Sequence, residues 1–423
     1  MASTRATHQT GAQNKRGTKS RLMRSIVGPG LLVAATGVGA GDLVTSLSSG
    51  AEYGLTFVWA IVIGATLKFG LTESIGRWSL ATGIMPLRGL HSMSPWITGY
   101  FGAYAVVLGF FYGAAILSAC GLALNAMIPQ LSIDAWAMIS GVVGLGLLLI
   151  GRYHVFERVM QFFVALMFVS TIGAAIMTRP DLGDLAVGFR PTVPDGSLLY
   201  LLGVVGGVGM TLSLCSYGYW LRDRGWKGQQ QISAMRIDLV VGYTLTFAFM
   251  VSMMIVGTEF LYGTGRTIDG EEGLLALAEP FGAEFGSAAK WLLLLGFFSA
   301  VFSSLIGGFN SMAYVFSDVV NVSRGLPQED DDRAERTWTF RGYLVWSTFP
   351  PMVLLFVGSP VFLVLTYTAI SALFVPVMAA SLLWLMNSKR MPIPHRNRWI
   401  ANINLAASVV LFGALAVHEL MNL

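Results

Sequence analysis

The sequence predicts an all-α membrane protein with about eleven transmembrane helices, arranged as two inverted five-helix repeats (spans 1–5 and 6–10) plus one extra helix. Three observations predict this fold. Apolar residues make up 54% of the 423 residues and charged residues only 12%, about half the charged share of a soluble domain. Basic residues concentrate on alternate loops, and two apolar segments at matching places carry glycine clusters. The composition argues against a soluble enzyme, a nucleic-acid-binding protein and a disulfide scaffold.

Eleven apolar segments are long enough to cross the hydrocarbon core, which takes about 20 residues per helix. They cover residues 26–50, 55–80, 101–128, 134–151, 155–177, 198–221, 237–262, 288–317, 341–358, 360–386 and 398–420. Residues 1–24 are polar and basic and are expected to form a disordered cytoplasmic tail. Residues 25–423 then form a single transmembrane domain, whose first span is too long for the core of a signal peptide.

The basic residues predict the orientation. With the N-terminus inside, 22 of the 27 Lys and Arg residues lie on the inner side and four on the outer side, while Lys68 alone falls in the interior of a span. Because inner loops are enriched in Lys and Arg, this bias favours a cytoplasmic N-terminus and an external C-terminus. The expected location is an integral position in a plasma membrane of bacterial type.

Two spans contain glycine clusters that ordinary membrane helices lack. The clustered residues are Gly37, Gly39 and Gly41 in span 1, and Gly203, Gly206, Gly207 and Gly209 in span 6. Each glycine weakens a helix by about 1 kcal/mol relative to alanine, so both spans are candidates for unwinding in mid-membrane. Close helix packing through small residues is the alternative. Spans 1 and 6 begin the two five-span halves, and matching interruptions of this kind point to the binding site of a transporter.

Ionisable residues inside spans are candidates for function, because burying a charge in hydrocarbon costs at least about 2.5 kcal/mol. Asp42 follows the glycines of span 1, and we expect it either to bind substrate or to cap the helix that restarts there. Lys68 lies deep in span 2, where it is either a coupling group or counter-charge, or extends its amine to the membrane surface. The remaining ionisable residues near span ends are expected to be a surface pair, Glu73 with Arg77, and two solvated carboxylates, Asp238 and Asp318.

The first span resembles that of the natural resistance-associated macrophage protein (NRAMP) family of divalent-metal transporters. The matching residues are Gly28, Pro29 and Gly30 at its start, and Ser49, Gly50 and Ala51 at its end. Weaker likeness comes from Leu80–Gly83 after span 2 and from Ser303, Ser304 and Asn310 in span 8. The resemblance implies a LeuT-like fold, in which broken spans 1 and 6 enclose the substrate.

The departures from the family pattern concern function. In metal-transporting members, the first Asp and the last Asn of a span-1 motif bind the metal together with a span-6 Met. The corresponding positions here are Gly39, Asp42 and the region of Leu214, Cys215 and Ser216. No carboxylate lies between Glu73 and Asp134, so the family's proton route through span 3 lacks its residues. The resemblance therefore implies a site without a thioether ligand, with Asp42 as the metal ligand if a metal is carried.

We expect a secondary transporter that moves a small hydrophilic solute by alternating access. Oxygen ligands suit Mg²⁺ or Mn²⁺, so a hard divalent cation is the leading substrate. The predicted substrate-binding residues are Gly39, Ala40, Gly41, Asp42, Thr45, Leu214, Cys215, Ser216, Tyr217 and Thr368, with Lys68 and Asp42 as coupling residues. A non-metal solute, such as a bicarbonate-sized anion at the half-helix N-termini or a small organic molecule, is the alternative. A non-transporting receptor is a third hypothesis.

Other partners and chemistry follow from the same reading. The two cysteines, Cys120 and Cys215, lie in apolar runs and have neither disulfide nor metal-ligand spacing. We expect no cofactor, no enzymatic activity and no nucleic-acid partner. The expected partners are the small ion or solute and the lipid bilayer, and the oligomeric state is left open.

Overall fold

Helices form nearly all of the described structure. The computed structural model describes residues 29–150, 153–209, 213–264, 272–328, 334–357, 363, 366–367, 370–371 and 373–421, and no strand occurs within those ranges. The predicted tail, residues 1–24, and the predicted site residue Thr368 lie outside the described residues.

The first half of the chain places spans 1–5. Its helices are α1 (Pro29–Gly37), α2 (Ala40–Tyr53), α3 (Val58–Thr82), α4 (Pro86–Met93), α5 (Pro95–Met127), α6 (Ile133–Leu149), α7 (Tyr153–Met177) and α8 (Leu182–Val187). Helices α1 and α2 are the two parts of span 1. The short helices α4 and α8 lie between spans and were not predicted from the sequence.

The second half repeats this pattern. Its helices are α9 (Leu198–Gly207), α10 (Ser213–Asp223), α11 (Ile232–Leu261), α12 (Glu272–Phe285), α13 (Ser287–Ser323), α14 (Trp338–Thr348), α15 (Met352–Leu355), α16 (Phe374–Asn387) and α17 (Trp399–Met421). Helices α9 and α10 are the two parts of span 6. Two consecutive prolines, Pro350 and Pro351, separate α14 from α15 within span 9, where proline removes a helical hydrogen bond.

Within the described residues, six helical segments are long and apolar enough to cross a membrane by themselves. They are Gly41–Thr82, Pro95–Met127, Val155–Met177, Gln229–Leu261, Ser287–Ser323 and Trp399–Val417. The most apolar part of α13 is 83% buried and that of α17 only 22%, so α13 lies at the centre of the bundle and α17 at its edge. Each of the eleven predicted spans corresponds to a helix or a pair of shorter helices, with span 10 described in part.

Glycines outside the two predicted clusters serve helix packing. A side chain on Gly50 of α2 would collide with the backbone of Met254 in α11. A side chain on Gly30 of α1 would collide with the backbone of Asp238 in α11, and one on Gly242 of α11 would collide with the backbone of Gly30. Small residues therefore let α1 and α2 pack closely on α11. The breaks and the close packing occur together in span 1.

Buried polar contacts fasten the bundle at the end where α1 begins. The carboxylate of Asp238 accepts hydrogen bonds from the Gly30 amide (2.5 Å) and the Tyr217 hydroxyl (3.2 Å). Asp238 is 1% exposed and Asp318 is 7% exposed, so the prediction that both are solvated was wrong. Asp238 is buried because it satisfies the N-terminus of α1, where backbone N–H groups have no helical partner.

The pair formed by Glu73 and Arg77 is also buried, contrary to the expected surface pair. Their side chains are 3.1 Å apart, and Arg236 of α11 donates to the same Glu73 carboxylate at 2.8 Å. Arg77 also donates to the carbonyl of His395 (2.5 Å) and to Asn397 (2.7 Å). These contacts tie α3 to α11 and to the segment before α17.

Candidate functional site

Span 1 is broken at Val38 and Gly39. Helix α1 ends at Gly37, and α2 restarts at Ala40. The amide of Gly39 donates to the Asp42 carboxylate at 3.1 Å, so Asp42 caps the N-terminus of α2, as one of its two predicted roles requires. A Cβ on Gly39 would lie 2.6 Å from Ser304 Oγ, which explains why a residue without a side chain stands at the break.

Span 6 is broken after Gly207, where α9 ends, and α10 begins at Ser213. Gly209 has φ +71°, in the left-handed region that residues with a side chain rarely adopt. Because α9 ends here, its last carbonyls have no partner within that helix.

The two breaks face each other. A Cβ added to Gly207 would lie 3.4 Å from Asp42 Oδ1 and 2.9 Å from Thr45 Oγ1. The backbone amide of Gly209 also hydrogen-bonds to the Asp42 carboxylate. Asp42 is 3% exposed. A buried carboxylate thus lies where the interrupted halves of spans 1 and 6 meet.

Lys68 joins this junction from α3. Its ammonium donates to the carbonyl of Gly206 at 2.9 Å and to the carbonyl of Gly209, and the side chain is fully buried. The ammonium therefore lies at the same break as Asp42, since Gly207, between its two acceptors, borders Asp42 Oδ1. The alternative that Lys68 extends its amine to the membrane surface was therefore wrong, since the broken helix supplies nearer acceptors.

Hydroxyl groups form a further wall of the junction. Ser304 of α13 donates to the Thr36 carbonyl at the end of α1 (3.2 Å), and Tyr112 of α5 donates to the Ser304 carbonyl (2.7 Å). The Tyr112 ring packs against Tyr367, with 5.2 Å between ring centroids, and the hydroxyl of Tyr367 interacts electrostatically with Asp42. Sequence reasoning missed both tyrosines, although a phenol in the middle of an apolar span is a usable signal.

The predicted site residues fall into two groups. The junction brings together Gly39, Gly41, Asp42, Thr45 and Lys68, with Ala40 at the first position of α2. Thr45 donates to the carbonyl of Gly41 at 2.9 Å, which leaves its oxygen lone pairs as acceptors toward Gly207.

The predicted residues of α10 contact other helices. Ser216 Oγ lies 2.6 Å from Ser311 Oγ of α13, and the Tyr217 hydroxyl donates to Asp238. Leu214 and Cys215 are buried, at 1% and 7% exposure. Substrate contact by these four residues stays a prediction.

The donor atoms at the junction are oxygens. Among the described residues, no group of three or more His, Cys, Asp or Glu side chains could hold a metal ion. The available groups are the Asp42 carboxylate, the hydroxyls of Thr45 and Tyr367, and backbone carbonyls at the two breaks. Such a set suits a hard cation that keeps part of its water shell.

Comparison with known proteins places the chain in a family. Residues 30–422 match the family described as natural resistance-associated macrophage protein-like. The chain belongs to the Nramp family. The family assignment covers both broken spans and the junction between them, and it makes the chain an integral membrane transporter, as the sequence predicted.

Individual relatives agree with this assignment. The divalent metal cation transporter MntH of Chromohalobacter salexigens is 26% identical over 320 residues, which is 70% of each chain. MntH of Brucella suis biovar 1 is 27% identical over 323 residues, 71% of this chain and 69% of its own.

Solved transporter structures share the fold of this chain. The Eremococcus coleocola manganese transporter, in complex with an aromatic bis-isothiourea compound, superposes with a TM-score of 0.77 over 93% of this chain and 86% of its own, at 16% identity. MHP1, a nucleobase-cation-symport-1 transporter, gives a TM-score of 0.55 over 93% and 92%, at 12% identity. These likenesses confirm the LeuT-like fold class that the sequence predicted.

Proposed function

We propose that this Nramp-family protein is a secondary transporter that moves a hard divalent cation, Mg²⁺ or Mn²⁺, by alternating access. The substrate lies between the breaks of spans 1 and 6. The N-terminus faces the cytoplasm and the C-terminus the outside. The observation that carries the proposal is the buried Asp42 carboxylate at the point where both broken helices meet.

Asp42 supplies the negative charge that attracts a cation. Its Oδ2 accepts from the Gly39 amide, while Oδ1 faces the space beside Gly207, where no side chain intervenes. Thr45 Oγ1 borders the same space. The cation exchanges part of its hydration shell for these oxygens, and the remaining water molecules stay with it.

An anionic substrate fits this junction less well. The ammonium of Lys68 already donates to two carbonyl groups and interacts with Asp42. An anion placed beside Lys68 would also meet the Asp42 carboxylate. The charge arrangement therefore favours a cation over a bicarbonate-sized anion.

Uptake into proteoliposomes tests the proposal. The purified protein is reconstituted, and uptake of radiolabelled Mn²⁺, of Mg²⁺ and of bicarbonate is compared with that of protein-free vesicles. Asp42→Asn removes the charge but keeps a capping side chain, so we expect folding to survive and cation uptake to fall by roughly 100-fold or more.

Asp184→Asn is the matched control, because Asp184 is exposed on α8, which packs on residues 54–57 beyond the end of α2 and not on the breaks. It should transport as the wild type does. Uptake of bicarbonate without uptake of either cation would overturn the proposal. Equal cation uptake by wild type and Asp42→Asn would remove Asp42 from the substrate site.

A further inference from the structure

Lys68 is a fixed positive charge inside the transport site. It is 0% exposed, and it is the one basic residue that the sequence places in the interior of a span. A buried ammonium group is stable only when its environment compensates the lost hydration. The groups around the Lys68 ammonium therefore indicate its role.

The end of α9 holds the ammonium in place. The carbonyls of Gly206 and Gly209 accept its hydrogen bonds, and the C-terminal end of a helix carries partial negative charge. The Phe412 ring of α17 lies 5.8 Å from the nitrogen, within the range of a cation–π contact. Lys68 is thus anchored to the broken helix rather than to Asp42 alone.

The charges of the site change with occupancy. In the empty protein the Lys68 ammonium offsets the Asp42 carboxylate, because it is bound to the carbonyls of Gly206 and Gly209, on either side of the Gly207 that borders Asp42 Oδ1. Without Lys68, the empty site would contain an unpaired buried carboxylate. With a divalent cation bound, the substrate itself compensates Asp42.

We propose that Lys68 is the counter-charge of the empty transporter: it allows the unloaded protein to return across its conformational cycle, and it weakens cation binding enough for release. This inference rests on the proposed cation transport. A return step without Lys68 must carry the unpaired Asp42 charge through closed, water-poor states, where it is costly. The loaded step needs no such partner.

Two transport assays separate these steps. Net uptake of Mn²⁺ into empty vesicles needs the unloaded return step, whereas exchange between external labelled and internal unlabelled Mn²⁺ uses loaded steps only. We expect Lys68→Met and Lys68→Gln to raise the ratio of exchange to net uptake at least about tenfold. Both variants should also bind Mn²⁺ with a Kd lower by roughly tenfold or more, because a repulsive charge has been removed.

The choice of variants distinguishes charge from helix capping. Lys68→Gln keeps two N–H donors for the carbonyls that Lys68 binds, whereas Lys68→Met keeps only the volume of the side chain. If Lys68 served only to cap the broken helix, transport would therefore be impaired in the Met variant and preserved in the Gln variant. Lys68→Arg keeps the charge and should preserve the wild-type ratio. Lys290→Met, at a surface lysine paired with Glu279, is the matched control.

The outcomes are distinct. An unchanged ratio and unchanged Kd in Lys68→Gln overturn the counter-charge role, and so does an equal loss of exchange and net uptake. If the wild type transports neither Mn²⁺ nor Mg²⁺, the proposed function fails first. Wild-type transport with an unaltered ratio in the variants refutes only the role of Lys68.

Discussion

Replacing Gly39 by alanine tests the site geometry, and the same replacement at Gly41, two residues further on, is the matched control. A Cβ added to Gly39 would lie 2.6 Å from Ser304 Oγ and 3.3 Å from Ser304 Cβ, closer than ordinary van der Waals contact. A Cβ added to Gly41 would meet nothing within 4 Å. We therefore expect Gly39→Ala to damage transport and Gly41→Ala to be tolerated.

The size of the effect of Gly39→Ala follows from the contacts of Ser304. Overpacking a buried contact costs about 1–3 kcal/mol. Moving Ser304 Oγ also strains its hydrogen bond to the Thr36 carbonyl, which is worth about 1 kcal/mol. The distortion falls at the break where Asp42 caps α2, so a total of about 2–4 kcal/mol corresponds to a loss of roughly 30-fold to several hundred-fold in Mn²⁺ affinity or uptake rate.

The assay compares initial Mn²⁺ uptake and Mn²⁺ binding for wild type, Gly39→Ala and Gly41→Ala, with thermal unfolding in detergent as a check of folding. Ser304→Gly in the Gly39→Ala background removes the colliding atoms and should restore part of the lost uptake. Equal behaviour of the two single alanine variants would refute the reasoning. So would a larger loss in Gly41→Ala than in Gly39→Ala.

Three further predictions concern selectivity, topology and the inner end of the bundle. Cd²⁺ should be transported no better than Mn²⁺ in competition uptake, and a strong Cd²⁺ preference would mean that Cys215 is a ligand. Single cysteines replacing Arg224 and Asp184 should react with impermeant reagents from the inside and the outside respectively, and labelling from one side would contradict the eleven-span topology. Asp238→Ala removes the acceptor of the Gly30 amide, worth about 0.5–2 kcal/mol at a helix N-terminus. This should loosen α1 and speed thiol labelling of the buried Cys215 several-fold, and unchanged labelling would show that the contact does not restrain opening.

The breaks could be predicted because their cause is local. Glycines weaken a helix wherever they occur, and their clustering at matching positions in spans 1 and 6 indicated where the chain unwinds. The observed interruptions at Val38–Gly39 and after Gly207 lie inside those clusters. Asp42 could be predicted as a site residue for a similar reason, since it follows the glycines of span 1 directly in the sequence.

The partners across the fold could not be predicted, because they join residues that are far apart in sequence. Ser304 meets Gly39, the Lys68 ammonium meets a carbonyl at the end of α9, and Asp238 meets Gly30, more than 200 residues away. Sequence position alone made Asp238 look solvated and Lys68 look free to reach the surface. In both cases a helix end with unsatisfied backbone groups supplied the partner that the hydropathy pattern does not reveal.

The two departures from the family's span-1 motif have one structural explanation. At Gly39, where the resemblance implies a carboxylate, Ser304 occupies the space in which such a side chain would begin. The carboxylate stands instead at Asp42, in the first turn of α2, where it caps the helix and lies at the break whose carbonyls bind the Lys68 ammonium. A carboxylate shared among a helix end, a lysine and a substrate attracts a cation less strongly than one that is free to coordinate it. We therefore expect such a site to leave a divalent ion part of its water shell, which Mg²⁺ usually keeps when it is bound by proteins.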